Sequence, residues 1–289
     1  MNTIIETEEN KMRDEQFCQS FELKALADLL IRRESERWVS GFADVFVEKE
    51  HSSRYEWILQ FVSNKTVLDI ACGIGKGSNL MAIEGGANEV VGCDLDPDAI
   101  KYASIRHKHP NVSFVNHDAQ TFQDERKFDV IVSFETIEHL PNVELFLNRM
   151  KELLKADGKI FISTPISKKS FDTDPHNPYH FQEWGFREFQ NLISKYFFIE
   201  DIYLQMRNNL SNSLKDRFVR KIYRIIENTL ISRIIENKSL KRVKNKYVGI
   251  GNEMRPIRFD KSDEILFNDD VDDTDVVGYQ ILVAKNINY

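Results

Sequence analysis

Short apolar runs and stretches with helical spacing alternate through the middle of the chain. The alternation predicts strands at Thr66–Ile70, Glu89–Asp94, Val112–Asn116, Phe128–Phe134 and Lys159–Thr164, and helices at Lys76–Ile83, Pro97–His107 and Val143–Leu154. Strands that are apolar throughout and alternate with helices are typical of a parallel sheet covered on both faces. The loops that follow such strands gather at one edge of the sheet, which is where such sheets bind ligands.

The flanking segments predict further elements and a division into domains. Apolar spacing favours helices over Gln16–Arg33, Arg54–Val62 and Gly185–Ser194, and strands near Phe197–Leu204 and Tyr279–Lys285. The stretch 205–277 is too long for a hairpin loop, so we expect an insertion with structure of its own. The predicted parts are an N-terminal helical extension (1–50), a main α/β domain (51–204 plus 278–289) and a basic helical insertion (205–277).

Within the insertion, residues 215–246 combine positive charge with helical apolar spacing. Eleven Lys and Arg residues stand against three acids, in a chain of formal net charge −7. Basic amphipathic helices can lie on anionic membranes, which gives the hypothesis of peripheral contact with the inner membrane face. The alternative, which we favour, is a lid helix packed on the main domain. The acidic FNDDVDDTD that follows lacks the glycine and spacing of a calcium loop, and no metal site is predicted.

Composition limits the classes of protein and of partner. The 289 residues are 42% hydrophobic and 29% charged, as in ordinary globular proteins, and the net negative charge argues against a nucleic-acid partner. Cys18, Cys72 and Cys93 are far apart, so they predict neither a disulfide framework nor a zinc site. The acidic start and the absence of a run of about 20 apolar residues predict a cytoplasmic protein. The oligomeric state is left open.

The sequence VLDIACGIGKGSNL, residues 67–80, predicts a strand, a tight turn and a helix whose exposed amides face a ligand. A phosphate-binding loop is excluded because Gly77 separates Lys76 from Ser78. A dinucleotide fold requires GxGxxG, whereas the turn has GxGxG. In a sheet that binds a nucleoside at this edge, an acid at the tip of the second strand holds the ribose hydroxyls, and Asp94 stands at that position. Asp96 is expected instead to cap the helix that Pro97 begins.

Asp118 follows the third strand, in VNHDAQTF. A carboxylate accepts hydrogen bonds, so the exocyclic amine of an adenine is a natural partner. The alternative is a turn residue that bonds its own backbone.

Several motifs then follow in a familiar order. VLDIACGIGKG, VVGCDLDPDAI, NHDAQ, FDVIVSFETIEHL and LLKADGKIFISTP resemble the class I S-adenosylmethionine-dependent methyltransferases over Val67–Pro165. The resemblance implies a doubly wound, mostly parallel seven-stranded sheet of the Rossmann-like methyltransferase type, with a helical insertion before the last strand. More narrowly, ERWVSG, EHSSRYEW and NPYHFQEW resemble a bacterial subgroup associated with surface polysaccharide and glycan biosynthesis.

The resemblance also implies roles for residues at the sheet edge. S-adenosylmethionine is the implied cofactor, with the glycine turn near its methionine part, Asp69 orienting its amino end, Asp94 on the ribose and Leu95 on the adenine. Asp118 and the amide of Ala119 would read the adenine edge, and Phe134 and Glu135 would line the pocket near the sulfonium. The full implied set is Asp69, Ala71, Gly73, Gly75, Asp94, Leu95, Asp118, Ala119, Phe134 and Glu135.

Two histidines are candidates for the chemistry on the acceptor. A hydroxyl acceptor benefits from a base, and imidazole suits that task near neutral pH. His139, in EHLP, and His180, in NPYHFQEW, follow the fourth and fifth strands. His180 is surrounded in the sequence by a polar and aromatic mix that suits a sugar, namely Asn177, Tyr179 and Glu183. The alternative for His139 is a contact at a helix N-terminus.

A stretch before the first strand is a further candidate. It contains His51, Arg54 and Tyr55, and it either closes the cofactor site from the N-terminal side or is a plain helix face.

We therefore expect O-methylation of a sugar or glycan hydroxyl, or of a glycan phosphate. A phenolic or quinone-like small molecule is the alternative acceptor. A non-catalytic cofactor-binding scaffold also stands, and a nicotinamide-dependent dehydrogenase is disfavoured by GxGxG and by Asp118.

Overall fold

The computed structural model describes residues 22, 24–26, 45–167, 171–173, 175, 177–206, 254–257 and 278–287. Its helices are α1 (Val45–Val62), α2 (Lys76–Ile83), α3 (Pro97–Arg106), α4 (Val143–Leu153) and α5 (Phe186–Ile193), with a 3₁₀ turn at Ile137–His139. Its strands are β1 (Thr66–Ile70), β2 (Glu89–Asp94), β3 (Val112–Asn116), β4 (Phe128–Phe134), β5 (Leu154–Pro165), β6 (Phe171–Asp172), β7 (Glu183–Trp184), β8 (Phe197–Met206), β9 (Met254–Ile257) and β10 (Gly278–Asn286).

In this part of the chain, one large sheet has the strand order β3-β2-β1-β4-β5-β10-β8-β9. Strands β3 to β5 pair in parallel, and β10 is antiparallel to both β5 and β8. Because the chain starts at β1 and winds first to one side and then to the other, the sheet is doubly wound. The predicted mostly parallel, seven-stranded methyltransferase sheet is confirmed, and the short β9 adds an eighth strand antiparallel to β8.

Apolar side chains from both sides of the sheet form the core. Helices α4 and α5 cover one face of the sheet, where α4 buries Phe146, Leu147 and Met150. Helix α1 covers the other face, where it buries Ile58 and Val62. Burial of these side chains is the main stabilising contribution, at about 25 cal/mol for each Å² of apolar surface removed from water. Cys72 and Cys93 are free and buried, as expected for cysteines that pack as small hydrophobes.

Element boundaries differ from the prediction mainly where polar residues are buried. Helix α1 begins at Val45, whereas the predicted helix begins at Arg54. The sequence did not indicate this earlier start because Glu50 and Arg54 are polar residues that face the interior, and they break the apolar pattern. The predicted domain boundary between residues 50 and 51 thus falls inside a helix. Strand β5 begins at Leu154, five residues before the predicted start. Of the predicted helix Gln16–Arg33, only residues 22 and 24–26 are described, and they are helical.

The basic segment 215–246 lies outside the described residues, so both hypotheses about it remain predictions. No helix in the ranges that the structure describes is both long and apolar enough to cross a bilayer.

Candidate functional site

The turn after β1 has an unusual backbone. Ala71, Gly73 and Gly75 all have positive φ, at 59°, 57° and 75°. A Cβ on Gly75 would lie 2.5 Å from the Phe114 ring, so this position packs tightly against β3. A Cβ on Gly73 would meet no atom within 4 Å. The turn is therefore anchored at Gly75 and open at Gly73, where a ligand can approach the backbone.

Asp69 lies beneath this turn. Its carboxylate is fully buried and accepts hydrogen bonds from the Tyr55 hydroxyl (3.0 Å) and the Ser78 hydroxyl (2.6 Å). Burial raises the pKa of Asp69 to about 7, although both hydrogen bonds act in the opposite direction. Asp69 thus ties α1 and α2 to β1, and any influence on a ligand would pass through Tyr55 and Ser78.

The tip of β2 is joined to the turn. The Gly73 amide donates to Oδ2 of Asp94 (2.8 Å), and the Asp96 amide donates to Oδ1 (2.9 Å). Asp96 accepts from the Asp98 amide (2.7 Å) and caps α3, which confirms its predicted role. Leu95 stands between the two acids and is 69% exposed, which leaves a large apolar surface at the edge.

The tip of β3 completes this side of the edge. Oδ1 of Asp118 accepts from the Gln120 amide (2.8 Å), so Asp118 makes the turn bond that the alternative interpretation expects. Ala119 beside it is buried. Sequence reasoning missed Asn116, whose side-chain amide donates to the carbonyls of Asp94 (3.0 Å) and Leu95 (2.8 Å). Its signal was a polar residue at a strand end next to the acidic tip.

A second polar cluster follows β4. Glu135 has a φ of 52° and accepts a hydrogen bond from the Ser163 hydroxyl (2.8 Å), and Glu138 accepts one from the Thr164 hydroxyl (3.1 Å). Glu138 is fully buried, and its Oε1 has no hydrogen-bond partner among the described residues. Burial raises the pKa of both carboxyls, and for Glu138 the neighbouring Glu135 raises it further. Sequence reasoning missed Glu138, Ser163 and Thr164.

The predicted acceptor residues come together beside this cluster. The rings of His139 and His180 lie edge to face with centroids 4.7 Å apart. Nδ1 of His139 is 3.0 Å from the Tyr179 carbonyl oxygen, and Nδ1 of His180 is 2.6 Å from Oε1 of Glu183. Asn177 completes the group, with its amide nitrogen 2.9 Å from Nε2 of His180.

Helix α1 closes the edge from the N-terminal side. Tyr55 packs its ring edge-on against Phe134, with centroids 5.3 Å apart, and so lies between the two clusters. Arg54 is fully buried, donates to Oε1 of Gln205 (2.6 Å) and lies 4.6 Å above the centre of the Tyr279 ring. Its positive charge also opposes the upward pKa shift of Glu135. This face of α1 is therefore part of the site's wall, which the sequence had left open.

A family model described as a methyltransferase domain matches residues 61–218, more than half of the chain. The chain belongs to this methyltransferase domain family. It is 31% identical over 167 residues to the putative methyltransferase 235L of Invertebrate iridescent virus 6, a match covering 58% of this chain. The chain spans about three-fifths (61%) of the length of that relative.

Two further likenesses bear on this methyltransferase domain. A ubiquinone biosynthesis O-methyltransferase of Glaesserella parasuis is 38% identical over 108 residues, covering 35% of this chain and 45% of that protein. The N-methyltransferase NodS of Bradyrhizobium japonicum, solved with S-adenosyl-L-homocysteine, superposes with a TM-score of 0.50 at 17% identity. That superposition covers 64% of this chain and 92% of NodS, and it supports the shared fold.

Proposed function

We propose that this methyltransferase domain transfers a methyl group from S-adenosylmethionine to a hydroxyl acceptor. The observation that carries the cofactor assignment is the junction of the open turn at Gly73 with the Asp94 carboxylate. Ribose hydroxyls are donors and suit a carboxylate at a strand tip, and the exposed Leu95 offers an apolar surface for adenine. NodS, which has the same fold, was solved with the demethylated cofactor.

The remaining cofactor roles follow from position at the same edge. We assign the turn at Ala71, Gly73 and Gly75 to the methionine part, and Asp118 with the Ala119 amide to the adenine edge. Phe134 and Glu135, at the end of β4, are assigned to the sulfonium side. Asp69 is assigned a positioning role, because its carboxylate is fully buried beneath the turn, where it bonds Tyr55 and Ser78, whereas Asp94 retains some exposure.

The acceptor is proposed to lie against His139 and His180. The cofactor supplies an activated methyl group, so the protein mainly aligns the acceptor oxygen and excludes water. The Nδ1 contact with the Tyr179 carbonyl makes Nε2 the acceptor nitrogen of His139, which suits it to take a hydroxyl proton. Glu183 bonds His180 and orients its ring in the same way.

The proposed acceptor class is a sugar or glycan, because Asn177 and Glu183 place an amide and a carboxylate around the histidines and such groups bind hydroxyls. A glycan phosphate is the related possibility that needs no base. A second acceptor class, a phenol or quinol, is favoured by a different observation. Tyr179 and Phe181 are exposed aromatic side chains beside the histidines. The O-methyltransferase of ubiquinone biosynthesis is also among the relatives.

The decisive experiment has two stages. Isothermal titration with S-adenosylhomocysteine tests the cofactor site, and absence of binding would overturn the proposal. A screen with labelled methyl donor then compares sugar nucleotides, lipid-linked glycans and phenolic quinone precursors. Transfer to a sugar supports the first class and transfer to a phenol the second. Binding without transfer to any acceptor supports the scaffold alternative.

For residues 215–246, packing as a lid remains the favoured proposal, and peripheral contact with the inner membrane face is the alternative, which rests on composition alone. Basic amphipathic segments bind anionic lipid through charge as well as apolar burial, so high salt should weaken the binding. Flotation with liposomes of acidic phospholipid, at low and high salt, tests this. A chain that stays unbound in both conditions overturns the membrane alternative.

A further inference from the structure

Glu138, His139 and His180 form a compact group of potential metal ligands. One ligand atom from each residue lies within 4.8 Å of the other two. Glu138 and His139 belong to the 3₁₀ turn after β4, and His180 lies in the loop between β6 and β7. The Phe181 amide, which donates to the Glu138 carbonyl (2.8 Å), holds this loop in place.

The fully buried Glu138 carboxylate is the observation that calls for a ligand. Oε2 accepts from the Thr164 hydroxyl, whereas Oε1 has no hydrogen-bond partner among the described residues. Leaving a buried carboxylate oxygen without a partner destabilises the folded state, and more so if the carboxylate is charged. Such an oxygen beside two imidazoles fits a bound cation better than a packing role.

Both histidines have the outer contacts that metal-binding imidazoles usually have. A metal-ligating histidine almost always directs its other ring nitrogen to a carbonyl or a carboxylate. Nδ1 of His139 meets the Tyr179 carbonyl oxygen, and Nδ1 of His180 meets Oε1 of Glu183. These contacts fix the ring orientations, and on each ring they point to Nε2 as the nitrogen that would coordinate an ion.

We propose that Glu138, His139 and His180 bind a divalent transition-metal ion at the acceptor side of the domain. Two imidazoles and one carboxylate suit first-row metals such as Zn²⁺, Co²⁺ or Fe²⁺ better than Mg²⁺, which prefers oxygen ligands. With bonds of about 2.1 Å, ligand atoms in a tetrahedral site lie about 3.4 Å apart. The group would therefore close by up to about 1.4 Å on binding, and the Asn177 amide, 2.9 Å from Nε2 of His180, would move aside.

Three protein ligands leave a coordination position for an acceptor oxygen. A histidine nitrogen bound to the metal cannot also accept a proton. The metal would instead lower the pKa of an acceptor hydroxyl, whose proton would then pass to water rather than to an imidazole. This consequence rests on the proposed function, whereas metal binding itself does not.

Metal binding is tested on the full chain after removal of metals with a chelator. Binding of Co²⁺ is measured by calorimetry and by the visible absorption of the bound ion. Zn²⁺ serves as the competitor, and Mg²⁺ serves as the comparison ion because it prefers oxygen ligands. We expect one Co²⁺ per chain, displaced by Zn²⁺ and at least tenfold tighter than Mg²⁺. A chain that binds no Co²⁺ at millimolar concentration overturns the proposal, and this result needs no variant.

Variants locate the site. His139→Ala and His180→Ala should each weaken Co²⁺ binding at least tenfold, whereas His109→Ala, which changes a histidine outside the group, should not. Circular dichroism verifies folding, and Glu138→Gln, a near-isosteric change, provides a second test if a histidine variant is unfolded. Co²⁺ binding that survives all three ligand changes assigns the ion to another place and overturns the proposal. Binding of S-adenosylhomocysteine is measured in parallel, so failure of the metal site and failure of the cofactor site are distinguishable.

Discussion

The backbone amide of Gly73 donates a hydrogen bond to the Asp94 carboxylate at 2.8 Å, which joins the turn after β1 to the tip of β2. The same carboxylate is the proposed ribose ligand. Asp94→Asn removes the charge but keeps the shape. Hydrogen bonds to charged groups contribute about 1.5–3 kcal/mol, so we expect affinity for S-adenosylhomocysteine to fall about 10- to 100-fold by calorimetry.

Asp96→Asn is the matched control for this change. Asp96 lies two residues further on and caps α3, and asparagine caps helices about as well as aspartate. The control should bind S-adenosylhomocysteine as the unaltered chain does. Equal loss in both variants would mean that general charge at this edge, rather than a specific contact, holds the ligand.

Gly73, in the turn, and Gly77, in the first turn of α2, should respond differently to alanine. A Cβ on Gly77 would overlap the Tyr55 ring, so Gly77→Ala should lower the free energy of unfolding by about 1–3 kcal/mol. A Cβ on Gly73 meets nothing but the open side of the turn, and there the backbone strain at positive φ costs about 1–2 kcal/mol. For the same loss in free energy of unfolding, Gly73→Ala should therefore lose more affinity for S-adenosylhomocysteine than Gly77→Ala. Urea unfolding measures the stability and calorimetry measures the affinity. A larger relative loss of affinity in Gly77→Ala would contradict the proposed position of the cofactor.

The histidines should affect turnover without affecting the cofactor. His139→Gln and His180→Gln each remove a group on the acceptor side, so we expect kcat to fall about 10²- to 10⁴-fold. Affinity for S-adenosylhomocysteine should stay within about twofold. His109→Gln, outside the site, should leave both unchanged. A parallel loss of cofactor affinity would instead assign the histidines to the cofactor pocket.

The sequence predicted the sheet well because its strands are short, apolar and separated by clear helical spacing. Helix α2 has the predicted bounds, and the cap at Asp96 was expected from Asp followed by Pro. Strand β9 was missed because four residues contain too little periodicity to distinguish a strand. The long start of α1 was missed because Glu50 and Arg54 are buried only when Gln205 and Tyr279 arrive from distant strands.

The candidate site was predictable where one strand tip carries one acid, as at Asp94. For His139 and His180 the sequence predicted only that both lie at the same edge of the sheet. It could not predict that their ring centroids are 4.7 Å apart, because the two rings belong to different loops. Glu138 was not recognised because its partner Thr164 belongs to a neighbouring strand. An acid in an amphipathic turn looks solvent-facing until the neighbouring strand covers it.

Asp69 should make stability depend on pH with a recognisable sign. Its folded pKa of about 7 lies above the unfolded value of 3.8, so the folded state binds more protons between those two values. The contribution of protonated Asp69 to the free energy of unfolding is therefore at its maximum below pH 3.8, and it is lost as the pH rises through 7. From pH 5 to pH 8 we expect a loss of about 2–3 kcal/mol, at 1.36 kcal/mol per pKa unit. Urea unfolding across this range measures it.

Asp69→Asn isolates this contribution. Asparagine does not titrate and can still accept a hydrogen bond from Ser78 or Tyr55, so the variant should retain the other pH effects of the chain but lose this slope. Asp129→Asn is the comparison, because Asp129 is a partly exposed acid whose pKa is lowered by the Thr66 amide and Lys155, despite an opposing effect of partial burial. Its removal should leave the slope between pH 5 and pH 8 intact. Equal slopes in the unaltered chain and Asp69→Asn would show that Asp69 is ionised throughout, with its charge stabilised by Tyr55 and Ser78.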